Sequence, residues 1–342
     1  MKTLYYGGPI HAMETDGTVE ALLAENGVIA AAGSLERLRS WAGDAAEIDL
    51  EGRALLPAFI DAHSHFSGAA HALLQAPLDE AVCFDDIADA LARFIAAGHI
   101  PKGQWVVGKG YDQNALAERQ HPPRAVLDRV SADHPIMIVH QSGHMGVFNT
   151  LALDLLGVTA DTPAPAGGAI GKAGGELTGY MEENAFLHYQ EKIPMPDMDD
   201  LMDAYRRVQR MYASYGVTTV QEGMMPESLI PLYRMLLERG LLELDVVGYP
   251  AVDALDAVCA AFPEAVRRYH GHFKVGGCKL FLDGSPQGRT AWMRTPYQGA
   301  ADGYCGYGTM TDDAVRSALL AAYRSGMQPL AHCNGDAAAA QY

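Results

Sequence analysis

The N-terminal part of the chain alternates short apolar runs with turn-forming dipeptides. Asp16-Gly17 and Asn26-Gly27 separate such runs, and Asn-Gly between apolar segments is a strong signal for a two-residue hairpin. The pattern predicts strands at residues 3–6, 19–24, 28–32 and 46–49 and a short helix at residues 34–41. Because these elements are too few to enclose a core, we expect residues 1–56 to form a partial β-sandwich that needs strands from elsewhere.

The rest of the chain alternates strands with amphipathic helices, most regularly after residue 196. Strands are predicted at residues 59–65, 217–222, 244–249, 273–283 and 328–333, and helices at 199–215, 227–239, 254–269 and 311–325. Gly216, Gly240 and Gly326 stand where three of these helices should stop. Repeated strand–helix units indicate parallel strands, in a closed barrel or an open doubly wound sheet. Residues 68–196 are less regular and are predicted to be an insertion in a domain that spans residues 57–342.

Composition narrows the possible classes of protein. Of the 342 residues, 49% are hydrophobic and 20% are charged, which suits a large core and is unlike a disordered chain. The 25 basic and 42 acidic residues give a net charge of −17. No Lys/Arg cluster interrupts this acidity, so we expect neither nucleic acid nor an anionic membrane as a partner. Five scattered cysteines, with no CxxC pair and no signal peptide, favour a soluble cytoplasmic protein.

An apolar run ends in two histidines, His63 and His65. Side chains two residues apart on a strand point to the same face. Two imidazoles at the C-terminal end of such a strand therefore suit a divalent cation above a barrel mouth. On this pattern alone, surface or hydrogen-bonded histidines are the commoner explanation.

Lys279 lies in the otherwise apolar run Cys278–Asp283. Burial of an ammonium group is costly and lowers its pKa. A neutral lysine amine can act as a nucleophile or base, or can react with carbon dioxide to give a carbamate that bridges two metals. The alternative is a lysine that extends towards an acidic neighbour, with Asp283 as one candidate. His332 ends the last predicted strand and would add a third strand-end imidazole.

Four further residues are candidates for substrate binding, each with a structural alternative. His144 could hydrogen-bond the substrate or a developing oxyanion, or could hold the insertion together. Arg289 could bind a carboxylate or form a salt bridge within its loop. Tyr111 and Asp112 form a loop pair that could serve either purpose. Seven other histidines lack ligand spacing and are expected at the surface, namely His71, His99, His121, His134, His188, His270 and His272.

Together these segments resemble the amidohydrolase superfamily, in particular the branch of YtcJ-like proteins and N-substituted formamide deformylases. The matching segments, in family order, are LLPAFIDAHSHF (55–66), HMGVFNTLAL (144–153), GELTGYMEENA (175–185), GVTTVQEG (216–223), KLFLDGSPQGRTAW (279–292) and HCNGD (332–336). The resemblance implies a TIM-type (β/α)8 barrel in the α/β class and hydrolysis of an amide-type C–N bond in a small-molecule substrate. Family members are often oligomeric, so a homo-oligomer is one expectation.

The resemblance also implies a metal site. His63 and His65 match the metal pair of strand 1, Lys279 matches the strand 4 lysine that is often carboxylated, and His332 matches the strand 5 ligand. The expected cofactor is one or two divalent ions, with zinc as the expected element. A bound metal would lower the pKa of water to about 7 and so provide hydroxide at neutral pH.

The family further uses a histidine that ends strand 6 and an aspartate that ends strand 8, which serves as ligand and general base. Five barrel strands precede Tyr342, so we expect that aspartate beyond Tyr342 and a chain that is truncated at its C-terminus. If these ligands are truly absent, a non-catalytic binding protein on the same scaffold is the alternative. A lyase in which Lys279 forms a Schiff base is a second alternative, but it leaves the three histidines unexplained.

Overall fold

The chain divides into two compact units. A computed structural model describes residues 1–13, 16–194, 196–286, 289–300 and 302–342. The sheet unit comprises residues 1–62 and 212–219, and the large unit comprises residues 63–211 and 220–342. The boundary expected at residue 56 stays a prediction.

The fold is mixed α/β. The strands are β1 (Lys2–Ile10), β2 (Val19–Glu25), β3 (Val28–Gly33), β4 (Ala46–Asp49), β5 (Phe59–Ile60), β6 (Ala76–Pro77), β7 (Val106–Tyr111), β8 (Ile136–His140), β9 (Met145–Phe148), β10 (Gly168–Ala173), β11 (Glu176–Glu183), β12 (Val217–Met225), β13 (Asp245–Pro250), β14 (Phe273–Val275), β15 (Gly277–Phe281) and β16 (Gln328–His332).

The helices are α1 (Leu35–Ala42), α2 (Phe66–Ala72), α3 (Phe84–Gly98), α4 (Arg124–Asp128), α5 (Thr150–Leu155), α6 (Asn184–Gln190), α7 (Met198–Ser214), α8 (Ile230–Glu238), α9 (Leu255–Ala261), α10 (Asp312–Arg324) and α11 (Asp336–Gln341). Short 3-10 turns occupy Glu227–Leu229, Val252–Ala254 and Pro263–Ala265. None of the described helices combines the length and apolarity needed to cross a membrane.

The sheet unit contains a four-stranded sheet in the order β3-β2-β1-β4. Strand β1 pairs antiparallel with β2 and parallel with β4. The hairpin between β2 and β3 turns at Asn26 and Gly27, whose φ angles of 52° and 81° are those that an Asn-Gly turn requires. Leu4, Leu23 and Leu38 are buried between the sheet and α1. Among the described residues of this unit, a helix rather than a second stacked sheet covers the core.

In the large unit, the region expected to be an insertion forms a six-stranded sheet. Its order is β10-β11-β9-β8-β7-β6, and we call it the insertion sheet. Helix α3 supplies Ile87 and Leu91 to a core beneath the sheet, where they meet Val106 and Ile138. Because β8 is buried along its whole length, its side chains are held on both faces.

The other strands of the large unit lie in two groups. Strand β13 pairs in parallel with β14, and β12 lies on the other side of β13. Strands β15 and β16 form a separate parallel pair. The closed barrel is therefore not confirmed. The single strand expected at 273–283 is wrong, because the chain changes its pairing partner at Gly276, leaving β13 for β16.

Two further element predictions need correction. The strand expected at 59–65 is limited to Phe59–Ile60. The helix expected at 254–269 ends at Ala261, because Pro263 cannot donate a backbone hydrogen bond to a continuing helix. The helix stops at Gly216, Gly240 and Gly326 are confirmed, with φ angles of 75°, 60° and 62°.

Replacing Asn149 by alanine tests how the insertion sheet is held. Asn149 is 1% exposed, its Oδ1 accepts the N–H groups of Ile136 and Ala152, and its Nδ2 donates to the His134 carbonyl. We expect Asn149→Ala to lower the free energy of unfolding by about 2–4 kcal/mol, measured by denaturant titration.

Thr311→Ala is the matched control. Thr311 also caps a helix by accepting a backbone N–H, but it is exposed, and its loss should cost about 1 kcal/mol or less. Equal losses in the two variants would show that burial of Asn149 contributes nothing.

Candidate functional site

His63 and His65 lie in the segment between β5 and α2, not on a strand. His65 is the N-cap residue of α2, which begins at Phe66. The strand geometry that predicted a shared face is therefore wrong. The two rings are nevertheless neighbours, with centroids 5.8 Å apart, and both residues are exposed.

Gly223 of β12 provides the space in which these rings meet. A Cβ atom at Gly223 would lie 3.5 Å from His63 Cδ2, 3.5 Å from His65 Cε1 and only 2.7 Å from the Ser64 carbonyl oxygen. Any side chain here would press on the peptide between the two histidines. The absence of a side chain at Gly223 therefore permits the histidine segment to lie against β12.

Glu222 holds the start of α2 in place of a conventional cap. His65 makes no side-chain cap hydrogen bond. Instead, Glu222 Oε2 accepts the backbone N–H of Ser67 and the hydroxyl of Tyr233, each at 2.8 Å. Glu222 is 1% exposed, and desolvation raises the pKa of its carboxyl despite these two hydrogen bonds. The imidazole of His65 therefore does not cap the helix.

Sequence reasoning missed Glu222. The available signal was a carboxylate inside the strand-forming run 217–225, where an acid, like the lysine at 279, is costly to bury without a role.

Lys279 is buried, and no salt bridge joins it to any residue in the described ranges. It lies on β15, is 7% exposed, and pairs in a parallel bridge with Ala251. No described residue offers Lys279 Nζ a hydrogen bond or salt bridge, and Asp283 does not take that role. Desolvation lowers the pKa of the Lys279 amine.

Lys279 also lowers the pKa of His65. Partial desolvation and the nearby Lys279 charge both lower the pKa of His65. Since metals bind neutral imidazole and neutral amine, both shifts favour the forms that bind a cation.

His332 lies on the same face of the β15–β16 pair as Lys279. Phe281, two residues after Lys279, is directly opposite His332, and their rings stack with centroids 4.6 Å apart. His332 Nε2 lies 3.3 Å from the Gly284 carbonyl oxygen and 3.0 Å from Asn334 Nδ2. This nitrogen is therefore engaged within its own loop.

Asp283 fixes that loop. It is fully buried, and its oxygens accept the backbone N–H groups of Trp292, Asn334 and Gly335 at 2.9, 2.8 and 2.6 Å. Two of these bonds connect the end of β15 with the segment that follows His332, and the third connects it with Trp292.

The four substrate-binding candidates occupy other positions. His144 is exposed, and its Nδ1 lies 3.2 Å from Glu183 Oε2. Arg289 is exposed and has a φ of 54°. Tyr111 is fully buried, with its hydroxyl 3.0 Å from His121 Nδ1. Asp112 accepts the backbone N–H of Asn114. Their expected roles stay predictions.

Three histidines expected at the surface are not fully exposed. His134 is 6% exposed and bonds Ser131 Oγ and the Ile100 carbonyl. His71 and His121 are half-buried, and the His121 ring is tilted against Tyr180, with centroids 4.3 Å apart. The absence of ligand spacing carries no information on burial, which explains these errors.

The donor set fits a cation in part. His63, His65 and Lys279 supply nitrogen donors of the kind that zinc accepts. Within the described ranges, however, no three His, Cys, Asp or Glu side chains are grouped closely enough to hold a metal ion. A metal bound by His63 and His65 would therefore need a further donor, and Lys279 is the candidate.

Comparisons with known proteins agree with this reading of the fold. Residues 46–342 match the family described as the amidohydrolase family. YtcJ of Bacillus subtilis (strain 168) is 28% identical over 355 residues, covering 99% of this chain and 64% of YtcJ. The N-substituted formamide deformylase of Arthrobacter pascens is 33% identical over 227 residues, covering 63% of this chain and 41% of that enzyme. The chain thus spans less than two thirds of the length of either relative.

A solved structure shares the fold. The crystal structure of a metal-dependent hydrolase from Pyrococcus horikoshii OT3 superposes with a TM-score of 0.76 at 24% identity, covering 100% of this chain and 67% of that chain.

Replacing Gly223 by alanine tests the contact that holds the histidine pair. Because the new Cβ would stand 2.7 Å from the Ser64 carbonyl oxygen, we expect Gly223→Ala to destabilise the protein by about 1–3 kcal/mol. The variant should also shift the side-chain NMR signals of His63 and His65. Gly68→Ala is the control, since its Cβ would meet only His65 Cβ at 3.5 Å. Equal destabilisation by both variants would contradict the role of Gly223.

Replacing Lys279 by methionine tests its electrostatic contact with His65. In metal-free protein, the pKa of His65 should lie below 6.5 and should rise in Lys279→Met, because a positive charge that opposes protonation is removed. Histidine NMR titration measures both values. Lys102→Met removes an exposed lysine that pairs with Asp133 and should leave His65 unchanged. A pKa of His65 unaltered by Lys279→Met would rule out the contact.

Proposed function

The chain belongs to the amidohydrolase family, and we propose on that premise that the protein is a metal-dependent hydrolase that cleaves an amide-type C–N bond. The observation that carries the proposal is Lys279, a buried lysine without an ionic partner among the described residues, close enough to His65 to lower its pKa. A buried ammonium with no counter-charge is unfavourable. A neutral or metal-bound amine derivative removes that cost.

We infer that His63, His65, Lys279 and His332 would hold one or two divalent ions, with zinc the best match to this donor set. When bound, such an ion lowers the pKa of a coordinated water and polarises a carbonyl oxygen. The metal-dependent hydrolase of similar fold supports the inference, as does the proximity of Lys279 to His65.

Lys279 itself would react with carbon dioxide. Its unprotonated nitrogen attacks the carbon of CO2, a C–N bond forms, and one proton leaves the nitrogen for solvent. The product is a carbamate anion with two oxygens. The lowered pKa of Lys279 increases the fraction of unprotonated amine at neutral pH, so burial of this side chain promotes the reaction.

The other residues of the site position these donors. Glu222 holds the first turn of α2 and thereby the backbone of His65. Asp283 holds the backbone after His332. Both carboxylates are buried and hydrogen-bonded to backbone N–H groups, which makes them supports rather than additional ligands in this arrangement.

The C–N bond as target is supported by the deformylase relative, which is 33% identical over 227 residues. We propose a small uncharged amide or formamide as the substrate class. Arg289 and His144, both exposed, would contact parts of the substrate that lie outside the reacting bond.

Metal content per chain tests the proposal directly. We expect about one or two zinc ions per chain by elemental analysis, lost in His63→Ala and retained in His188→Ala, which removes an exposed histidine. With 13C-labelled bicarbonate, a carbamate 13C signal should appear in the native protein and be absent in Lys279→Met. Release of formate from N-alkylformamides should follow metal content.

Three results would contradict the proposal. The first is a folded protein that takes up no metal when zinc is supplied. The second is equal metal content in His63→Ala and His188→Ala. The third is trapping of a carbonyl substrate on Lys279 by borohydride, which would support Schiff-base chemistry instead.

A further inference from the structure

The side chain of Asn334 contacts the imidazole of His332, two residues before it in the chain. Asn334 Nδ2 lies 2.9 Å from the Gly284 carbonyl oxygen and 3.0 Å from His332 Nε2. His332 Nε2 is itself 3.3 Å from the same carbonyl oxygen. A carboxamide, an imidazole nitrogen and a carbonyl group therefore meet, and the position of each proton depends on the other two groups.

The Gly284 carbonyl fixes the orientation of the Asn334 carboxamide. A carbonyl oxygen can only accept a hydrogen bond, so the atom 2.9 Å away must be the NH2 nitrogen. With the amide turned over, two acceptor oxygens would face each other at that distance. Nδ2 carries a second N–H, and His332 Nε2, at 3.0 Å, is positioned to accept it.

This contact determines which nitrogen of His332 carries the proton. Nε2 cannot accept from Asn334 and hold a proton of its own, so in the neutral ring the proton lies on Nδ1. Asp283 does not reverse this assignment. Its Oδ1 is 4.0 Å from His332 Nε2, beyond hydrogen-bond distance, and its oxygens accept the backbone N–H groups of Asn334 and Gly335.

The backbone and the ring are both held, so the contact can change only at the carboxamide. The backbone N–H of Asn334 donates to Asp283 Oδ1 at 2.8 Å. The His332 ring stacks on Phe281 with an angle of 23° between the ring planes. Asn334 is exposed, so rotation of its side chain towards water is the available movement.

In the observed arrangement His332 has no lone pair to offer a cation. The lone pair of Nε2 accepts from Asn334, and Nδ1 carries the proton. A histidine that binds a metal uses one unprotonated nitrogen and usually donates its other N–H to a carbonyl or carboxylate. The Gly284 carbonyl could accept an N–H from Nε2, but Asn334 Nδ2 must first turn away.

We propose that Asn334 is a positioning residue that controls whether His332 can bind a cation. While its carboxamide donates to Nε2, His332 stays outside the donor set. When the carboxamide turns to solvent, water carries the His332 proton from Nδ1 to Nε2, Nε2–H donates to the Gly284 carbonyl, and Nδ1 becomes free. The inference rests on the metal site of the proposed function and adds to it a residue that opposes binding.

The position of the His332 proton is the first test. In 15N-histidine NMR of the intact, metal-free chain, with the His332 signals assigned by their loss in His332→Ala, the proton should lie on Nδ1. Asn334→Leu, which has similar size but no donor, and Asn334→Asp, which can only accept, should both move it to Nε2. Asn184→Ala removes another exposed carboxamide, which donates to the Ala166 carbonyl, and should leave the proton on Nδ1.

Zinc affinity, measured by calorimetry, is the second test. Asn334→Leu should bind zinc about three- to tenfold more tightly than the native chain, because one hydrogen bond no longer has to be broken. Asn334→Asp should gain at least as much, since it also adds a negative charge. Asn184→Ala should bind zinc as the native chain does.

Three outcomes would overturn the role of Asn334. They are a proton on Nε2 in the native chain, a proton that stays on Nδ1 in both Asn334 variants, and equal zinc affinity of Asn334→Leu and the native chain. If neither of these two chains took up zinc, the metal site of the proposed function would fail as well. The NMR result distinguishes the two failures, because it requires no bound metal.

Discussion

The buried carboxylate of Asp283 is the constraint on which the candidate site depends. Burial of a carboxylate is unfavourable unless its oxygens accept hydrogen bonds. Asp283 meets that condition with three backbone N–H groups, from Trp292, Asn334 and Gly335. Asn334 and Gly335 follow β16, whereas Trp292 lies in the segment after β15, so the three hydrogen bonds hold both segments at the end of the β15–β16 pair. His332 is the last residue of β16 and lies next to this end.

Glu222 is a second buried acid that holds backbone, in this case at the start of α2 beside His63 and His65. Helix α2, whose N-cap residue is His65, needs acceptors for its first backbone N–H groups. If His65 supplied that acceptor, its ring could not serve a ligand. Glu222 supplies it instead, from β12, and Tyr233 stabilises the arrangement. Glu222 and Asp283 thus each hold a backbone segment next to a histidine that is a candidate ligand, His65 or His332.

Much of the fold follows from local rules that the sequence displays. The Asn26-Gly27 hairpin and the helix stop at Gly216 were predictable, because each depends on a φ angle that few residues adopt. The break at Gly276 was not, because it depends on which distant strand each half pairs with. For the same reason the sequence shows that Glu222, like Lys279, is a charged residue in a strand-forming run, but it does not show which group Glu222 holds. Its partner Ser67 lies 155 residues away in sequence.

Three basic side chains are buried among the described residues, and their partners differ. His134 is hydrogen-bonded to Ser131 Oγ and to the Ile100 carbonyl. A buried base of this chain can therefore find its hydrogen-bond partners within the chain. His140 Nε2 lies 3.7 Å from Asp112 Oδ1. Lys279, by contrast, is buried without a salt bridge to any described residue. An unpaired buried base is costly, and a ligand that pairs with it recovers that cost on binding. The proposed cation site rests on this cost, because a neutral or metal-bound Lys279 would no longer be a buried ammonium without a counter-charge.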